Sequence, residues 1–179
     1  MPKIIAIIIE FAIFVCALWV LTFLSTFLHE VGHALGYMIA TGDRHWHIRV
    51  GSGKKLLNSK RLTVKLLPFD GLLTPLEKNS IDTATKLIII LSGGPVVSLI
   101  LVIGLLLLKF GGISFHSELI VLSAIESFIG IALSINFFIL ILPVIPTHYL
   151  YGEVKGLETD GLQIINAIKS HKGLPKSLQ

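Results

Sequence analysis

The stretch FLSTFLHEVGHALGYMIA, residues 23–40, is apolar enough for a bilayer, yet its middle carries His29, Glu30 and His33. On a helix, positions i and i+4 lie one above the other on one face, so His29 and His33 present two imidazoles to one metal ion. Glu30, one residue on, is near enough to contact a metal-bound water. The H-E-x-x-H spacing therefore supplies two zinc ligands and a general base. Zinc draws the pKa of its water toward about 7, and Glu30 takes the proton as the water attacks a carbonyl. The bland alternative is a chance match, with the histidines as polar groups near a helix end. Ionisable side chains inside an apolar span are costly and usually functional, so three on one turn favour the metal. Gly32, Ala34 and Gly36 also let another helix approach closely.

Composition widens the frame. The 179 residues are 53% hydrophobic and only 15% charged, with mean hydropathy +0.83, whereas soluble domains carry about 25% charged residues. These values point away from an ordinary soluble enzyme. They predict one integral membrane domain over residues 1–179, all-α in class, with three transmembrane helices at about 4–40, 86–110 and 118–146. Each segment reaches the roughly 20 residues that a bilayer requires. The first is too long for a signal peptide, has only Lys3 as a basic start and lacks a clean small-x-small cleavage site. Cys16 is the single cysteine and lies in an apolar run, so no disulfide framework exists.

Charge then orients the spans. Residues 41–86 hold nine of the fifteen Lys and Arg residues, and the tail after Pro146 holds Lys155, Lys169, Lys172 and Lys176. The short link GGISFHS, 111–117, has neither. Positive residues favour the cytoplasmic side, so the loop 41–85 and the tail 147–179 are expected inside, with the N-terminus outside. This charge reads as topology and lipid contact, with no nucleic acid as partner.

A catalytic zinc needs a third protein ligand and an open position. Ile39 stands where a metzincin would have its third histidine, which removes that class. The remaining candidates are Asp43, Asp70, Asp82, Asp160, His45, His47, His148 and His171. The HWH run at 45–47 reads better as interfacial residues flanking Trp46. Asp160 is the stronger candidate, opening the amphipathic run with Leu162, Ile165 and Ile168 on one face. It is either a ligand or merely a cap or charge at a helix start, and spacing leaves both open.

LHEVGHALG in a first core span, SGGP at 92–95 and Asn136 with Pro143 and Pro146 closing the third span form, with TDG at 159–161, a recognisable set. Together they resemble the site-2 protease family of intramembrane zinc metalloproteases, over about residues 23–169. The resemblance implies His29, His33 and Asp160 as zinc ligands and Glu30 as base. It also implies a membrane-spanning or membrane-associated peptide substrate, cut near the cytoplasmic face, and points to a bacterial cell membrane. Ser98 stands where the family commonly has asparagine, and YGEVKGLETDG, 151–161, stretches the usual run into Asp-Gly. Asn136 is expected to meet the substrate backbone or the developing oxyanion, with helix bridging as the duller role. Gly93, Gly94 and Pro95 are expected to interrupt the second span near its cytoplasmic end, with close helix packing as an equally weighted role. Glu10 and Glu126 lie at similar depth near the outer span ends and suit a shared polar cavity.

The loop alternates apolar and polar residues at 47–50 and 61–66, the period of a strand, with GSGKKLLNSK, 51–60, as a turn-rich connection. PFDGLLTP, 68–75, resembles the family's membrane-associated loop. A small β-hairpin at the membrane edge is thus expected, pairing with an extended substrate or simply covering the site. A second function of another class is a zinc-containing membrane adaptor or immunity-type factor that binds a peptide without cutting it.

Overall fold

The computed structural model describes residues 2–76, 81–111 and 120–170. His171, Lys172, Lys176 and the link residues 112–117, all invoked above, lie outside the described residues. The chain runs α1 (Pro2–Thr41), β1 (Trp46–Asn58), β2 (Leu62–Pro75), α2 (Ala84–Phe110), α3 (Ile120–Val144) and α4 (Asp160–Lys169). Three helices are long and apolar enough to cross a bilayer, over Lys3–Thr41, Ala84–Phe110 and Ile125–Val144. With 40 residues, α1 is about 60 Å long at about 1.5 Å per residue.

Helix α2 begins where Thr83 caps it, its side chain accepting from the Lys86 N–H. The expected interruption at Gly93, Gly94 and Pro95 does not occur, for α2 continues through Pro95. Proline removes one N–H and crowds one carbonyl, and the long apolar helix absorbs that loss. The glycines serve packing instead. A Cβ on Gly32 would strike the Gly93 carbonyl, and one on Gly93 would strike the Gly32 carbonyl. Helices α1 and α2 therefore meet backbone to backbone, one turn from the histidines.

The hairpin is larger than its alternation suggested. Its strands have 13 and 14 residues, and both GSGKKLLNSK and PFDGLLTP are mostly strand. Gly51 and Gly53 take φ values of 88° and 83°, where only glycine is comfortable. The bend there lets Ile48 pair with both Leu73 and Leu62, and Val50 with both Gly71 and Val64. The curled hairpin buries Ile48 and Val50 with Ala34, against Phe23, Phe27 and Val31 of α1. Farther along, Trp19 donates its indole N–H to the Leu66 carbonyl at 2.6 Å.

A second core joins Tyr37 of α1, Leu87, Ile90 and Leu91 of α2 and Ala167 of α4, with Ile164 packed on it. This rotates α4 from its expected setting. Thr159, not Asp160, is the N-cap. The inward face carries Asp160 and Ala167, while Ile168 is 60% exposed. The constraint is local: a Cβ on Gly161 would strike the Val144 carbonyl, so α4 starts against the end of α3.

Candidate metal centre

His29 and His33 stand one turn apart on α1 with ring centroids 4.8 Å apart. Their Nε2 atoms are separated by 3.2 Å. Asp160 Oδ2 lies 3.6 Å from the first and 3.2 Å from the second. All three residues are buried, and among the described residues they are the one such group of three metal-binding side chains.

Hydrogen bonding on the far side of each ring sets what the near side offers. His33 Nδ1–H donates to the Ile90 carbonyl at 2.9 Å. A carbonyl only accepts, so the neutral ring carries its proton on Nδ1 and leaves Nε2 as a bare lone pair. His29 Nδ1 lies 2.8 Å from the Ser98 hydroxyl, which is able to accept in the same sense when Nδ1 carries the proton. Two lone pairs and a carboxylate oxygen then converge, and the buried Asp160 Oδ2 receives no well-formed hydrogen bond. Such an arrangement is unfavourable unless a proton on one ring or a metal cation sits among the three atoms.

The residues fit that cation. Tetrahedral coordination at about 2.0–2.1 Å places ligand atoms about 3.3–3.4 Å apart, and the three separations bracket this value. Burial alone would raise the Asp160 carboxyl, but in the metal-free site protonated His33 and His29 outweigh it and hold its pKa at about 2. The carboxylate is thus ionised, as a metal ligand must be. Gly94 leaves the room: a Cβ there would strike Nε2 of both His33 and His29.

Glu30 is 6% exposed and borders a cavity of about 320 Å³ that His33, Asp160 and residues 71–75 of β2 also line. Strand β2 passes the carboxylate at Gly71, where a Cβ would strike Glu30 Oε1. The Leu73 backbone N–H donates to Glu30.

Two devices bring Asp160 to the histidines across more than a hundred residues. Thr159 N–H donates to the Thr147 carbonyl at 2.9 Å, and its hydroxyl donates to the Ile145 carbonyl at 2.7 Å. The intervening segment is clasped to the hairpin. Arg49 donates to Asp70 Oδ1 at 3.0 Å, the Glu153 N–H donates to Asp70 Oδ2 at 2.7 Å, and Lys65 donates to Glu153 Oε1 at 2.5 Å.

His29, Glu30, His33 and Asp160 are therefore gathered in one place. The other candidate ligands are not. Asp70 serves the clasp, Asp43 pairs with Tyr37 and His45, His47 Nε2 lies 2.9 Å from the Thr63 hydroxyl, Asp82 pairs with Lys86, and His148 is exposed. Asn136 is buried, but its Nδ2 donates to Ser25 Oγ at 3.0 Å and to the Ala132 carbonyl at 2.8 Å. It bridges α3 to α1 and does not line the cavity. Glu10 and Glu126 are exposed. Sequence reasoning left Ser98 without a role and missed Gly94 as the opening beside the ligands. It also missed Tyr149, which lines the cavity. A single hydroxyl within the apolar run 96–108 was the available signal for Ser98.

No family model matches the chain, and neither a curated protein nor a solved structure matches it.

Proposed function

We propose that the chain is an intramembrane zinc-dependent endopeptidase, hydrolysing a peptide bond of a membrane-spanning or membrane-associated substrate near the cytoplasmic face. The observation that carries this is the convergence of His29, His33 and Asp160 beside the buried Glu30, at a cavity where the apolar helices α1 and α2 meet β2 and the start of α4. Two imidazoles and one carboxylate, with a further position open, form the donor set of a catalytic zinc site.

Zinc held there acidifies water and polarises a carbonyl. The chain's own groups do the rest. Glu30 accepts a proton from the attacking water and returns it to the departing nitrogen. Ser98 and the Ile90 carbonyl hold the two rings in the ligating orientation. The 71–75 edge of β2 lines the cavity and offers backbone groups to an extended peptide, which a cleavable substrate must become. Leu72, Leu73, Leu87, Ile90 and Leu91 keep the walls apolar, which limits water to that engaged in the reaction. The basic hairpin and tail lie on the cytoplasmic side in this reading, and the exposed apolar side chains of residues 4–15 face lipid.

The deciding experiment reconstitutes wild type and Glu30→Gln in vesicles with candidate membrane peptides. Cleavage by wild type and none by the variant is expected, with one zinc bound in each. Undiminished cleavage by Glu30→Gln would sink the mechanism. A peptide-binding adaptor that does not cut predicts retained function in the same variant.

A further inference from the structure

A developing oxyanion needs a hydrogen-bond donor aimed at it, and the amide expected to provide one is committed elsewhere. Asn136 spends its Nδ2 on Ser25 and Ala132. The cavity offers a replacement. Tyr149 is half-buried and lines the same cavity as Glu30, His33 and Asp160. Tyr149 thus shares the wall of one cavity with the residues that would hold zinc and take the proton. Of the other polar groups there, Gln163 donates its Nε2 hydrogen to the Glu158 carbonyl at 2.9 Å, and Thr74 stands on the exposed part of β2.

Tyr149 is also held in place. Its N–H donates to the Leu157 carbonyl at 2.9 Å, and its carbonyl accepts from the Gly156 N–H at 2.8 Å. The turn it belongs to is fastened to the hairpin through Glu153 and Asp70. An aromatic donor fixed at the backbone needs little reorganisation when charge appears, which is what makes such donors effective.

We propose that Tyr149 is a catalytic residue whose phenol O–H donates to the scissile carbonyl oxygen as negative charge builds there. This rests on the proteolytic reading above. The water oxygen bonds to the carbonyl carbon, the carbonyl π pair moves onto its oxygen, and Glu30 takes the water proton. The pair then re-forms the C=O bond, the C–N bond breaks, and the Glu30 proton passes to the nitrogen. The products are an amine and a carboxylic acid, which ionises to solvent. Tyr149 keeps its proton throughout.

The test is Tyr149→Phe, which keeps the ring and removes only the hydroxyl. Loss of one oxyanion donor lowers kcat by about 100-fold to 1000-fold, so a fall of about 100-fold is expected, with KM, zinc content and melting temperature unchanged. Binding gives an independent readout. A phosphinic peptide, which mimics the tetrahedral anion, should bind Tyr149→Phe about 50-fold to 100-fold more weakly than wild type. The uncut peptide should bind Glu30→Gln and Glu30→Gln/Tyr149→Phe equally. Phosphinate affinity within threefold of wild type would overturn the assignment, as would loss of zinc from Tyr149→Phe, which marks a structural role. Either result leaves cleavage by wild type, and so the proteolytic reading, intact. Conversely, a zinc-loaded wild type that cuts no peptide removes that reading, while the phosphinate comparison still decides whether Tyr149 is the donor.

Discussion

Ser98 shows how much a single hydroxyl can decide. It is fully buried in an apolar helix and lies 2.8 Å from His29 Nδ1. Without it the ring has no partner on that side, and its Nε2 is no longer held toward His33 and Asp160. Partners of this kind are worth about 10-fold to 100-fold in metal affinity. Ser98→Ala should weaken zinc by that factor in competition with a chelator, with helix content retained; unchanged affinity would remove Ser98 from the site. Asp160→Asn is a sharper probe, because it keeps the size and discards the anion. It should drop zinc below one equivalent by metal analysis, whereas Glu30→Gln should keep its zinc and lose only turnover. His29, Glu30 and His33 were legible in the sequence because helical periodicity alone sets their geometry. Ser98 and Tyr149 were not, because nothing local says which ring or cavity they will meet.

At the scale of elements, two contacts shape the site. The first is the close approach of α1 and α2 at Gly32 and Gly93, which brings Gly94 against the histidines. Gly94→Val fills the space beside both Nε2 atoms, so it should abolish zinc binding, while Gly104→Val on the same helix, where a Cβ meets nothing within 4 Å, should not. The second contact is the clasp of Arg49, Asp70, Lys65 and Glu153. Asp70→Asn weakens two hydrogen bonds to a charged acceptor and should destabilise the fold by about 2 kcal/mol. The visible result would be faster tryptic cleavage after Lys155; an unchanged rate would mean the clasp does not hold the segment. The clasp also responds to pH. The hydrogen bond from the Lys65 ammonium, aided by the Arg49 charge, holds the Glu153 carboxyl below its usual value against the opposing effect of burial. A depressed acid stays ionised in the fold while the unfolded chain takes up protons, so its contribution is complete above about pH 4.3 and fades as pH falls further. Cleavage after Lys155, probed with an acid-tolerant protease of matching specificity, should therefore accelerate only on the acid side. The strand alternation at 47–50 and 61–66 announced a hairpin but not its extent, since the Gly51 and Gly53 bend and the Leu62–Val64 pairing come from long-range closure.

For the whole molecule, the proposed membrane setting makes the exposed apolar surface intelligible. Phe11 is 67% exposed and Phe110 is 72% exposed, which is unfavourable in water and favourable against acyl chains. With the hairpin on the cytoplasmic side, a cysteine at Lys55 in a Cys16→Ser background should react with an impermeant thiol reagent only in inverted vesicles. Reaction from the outer side would reverse the orientation. The sequence by itself determined the three long apolar helices, the hairpin's existence and the His-Glu-His face, because each depends on a repeat of a few residues or on bulk hydropathy. Only the tertiary structure decided that Asp160 joins His29 and His33, that α2 runs unbroken through Pro95, and that Asn136 bridges helices while Tyr149 lines the cavity. Those outcomes depend on backbone contacts at Gly32, Gly93 and Gly161, on the Thr159 anchor and on the Asp70 clasp. Each joins residues far apart in the chain, where no periodicity carries information from one partner to the other.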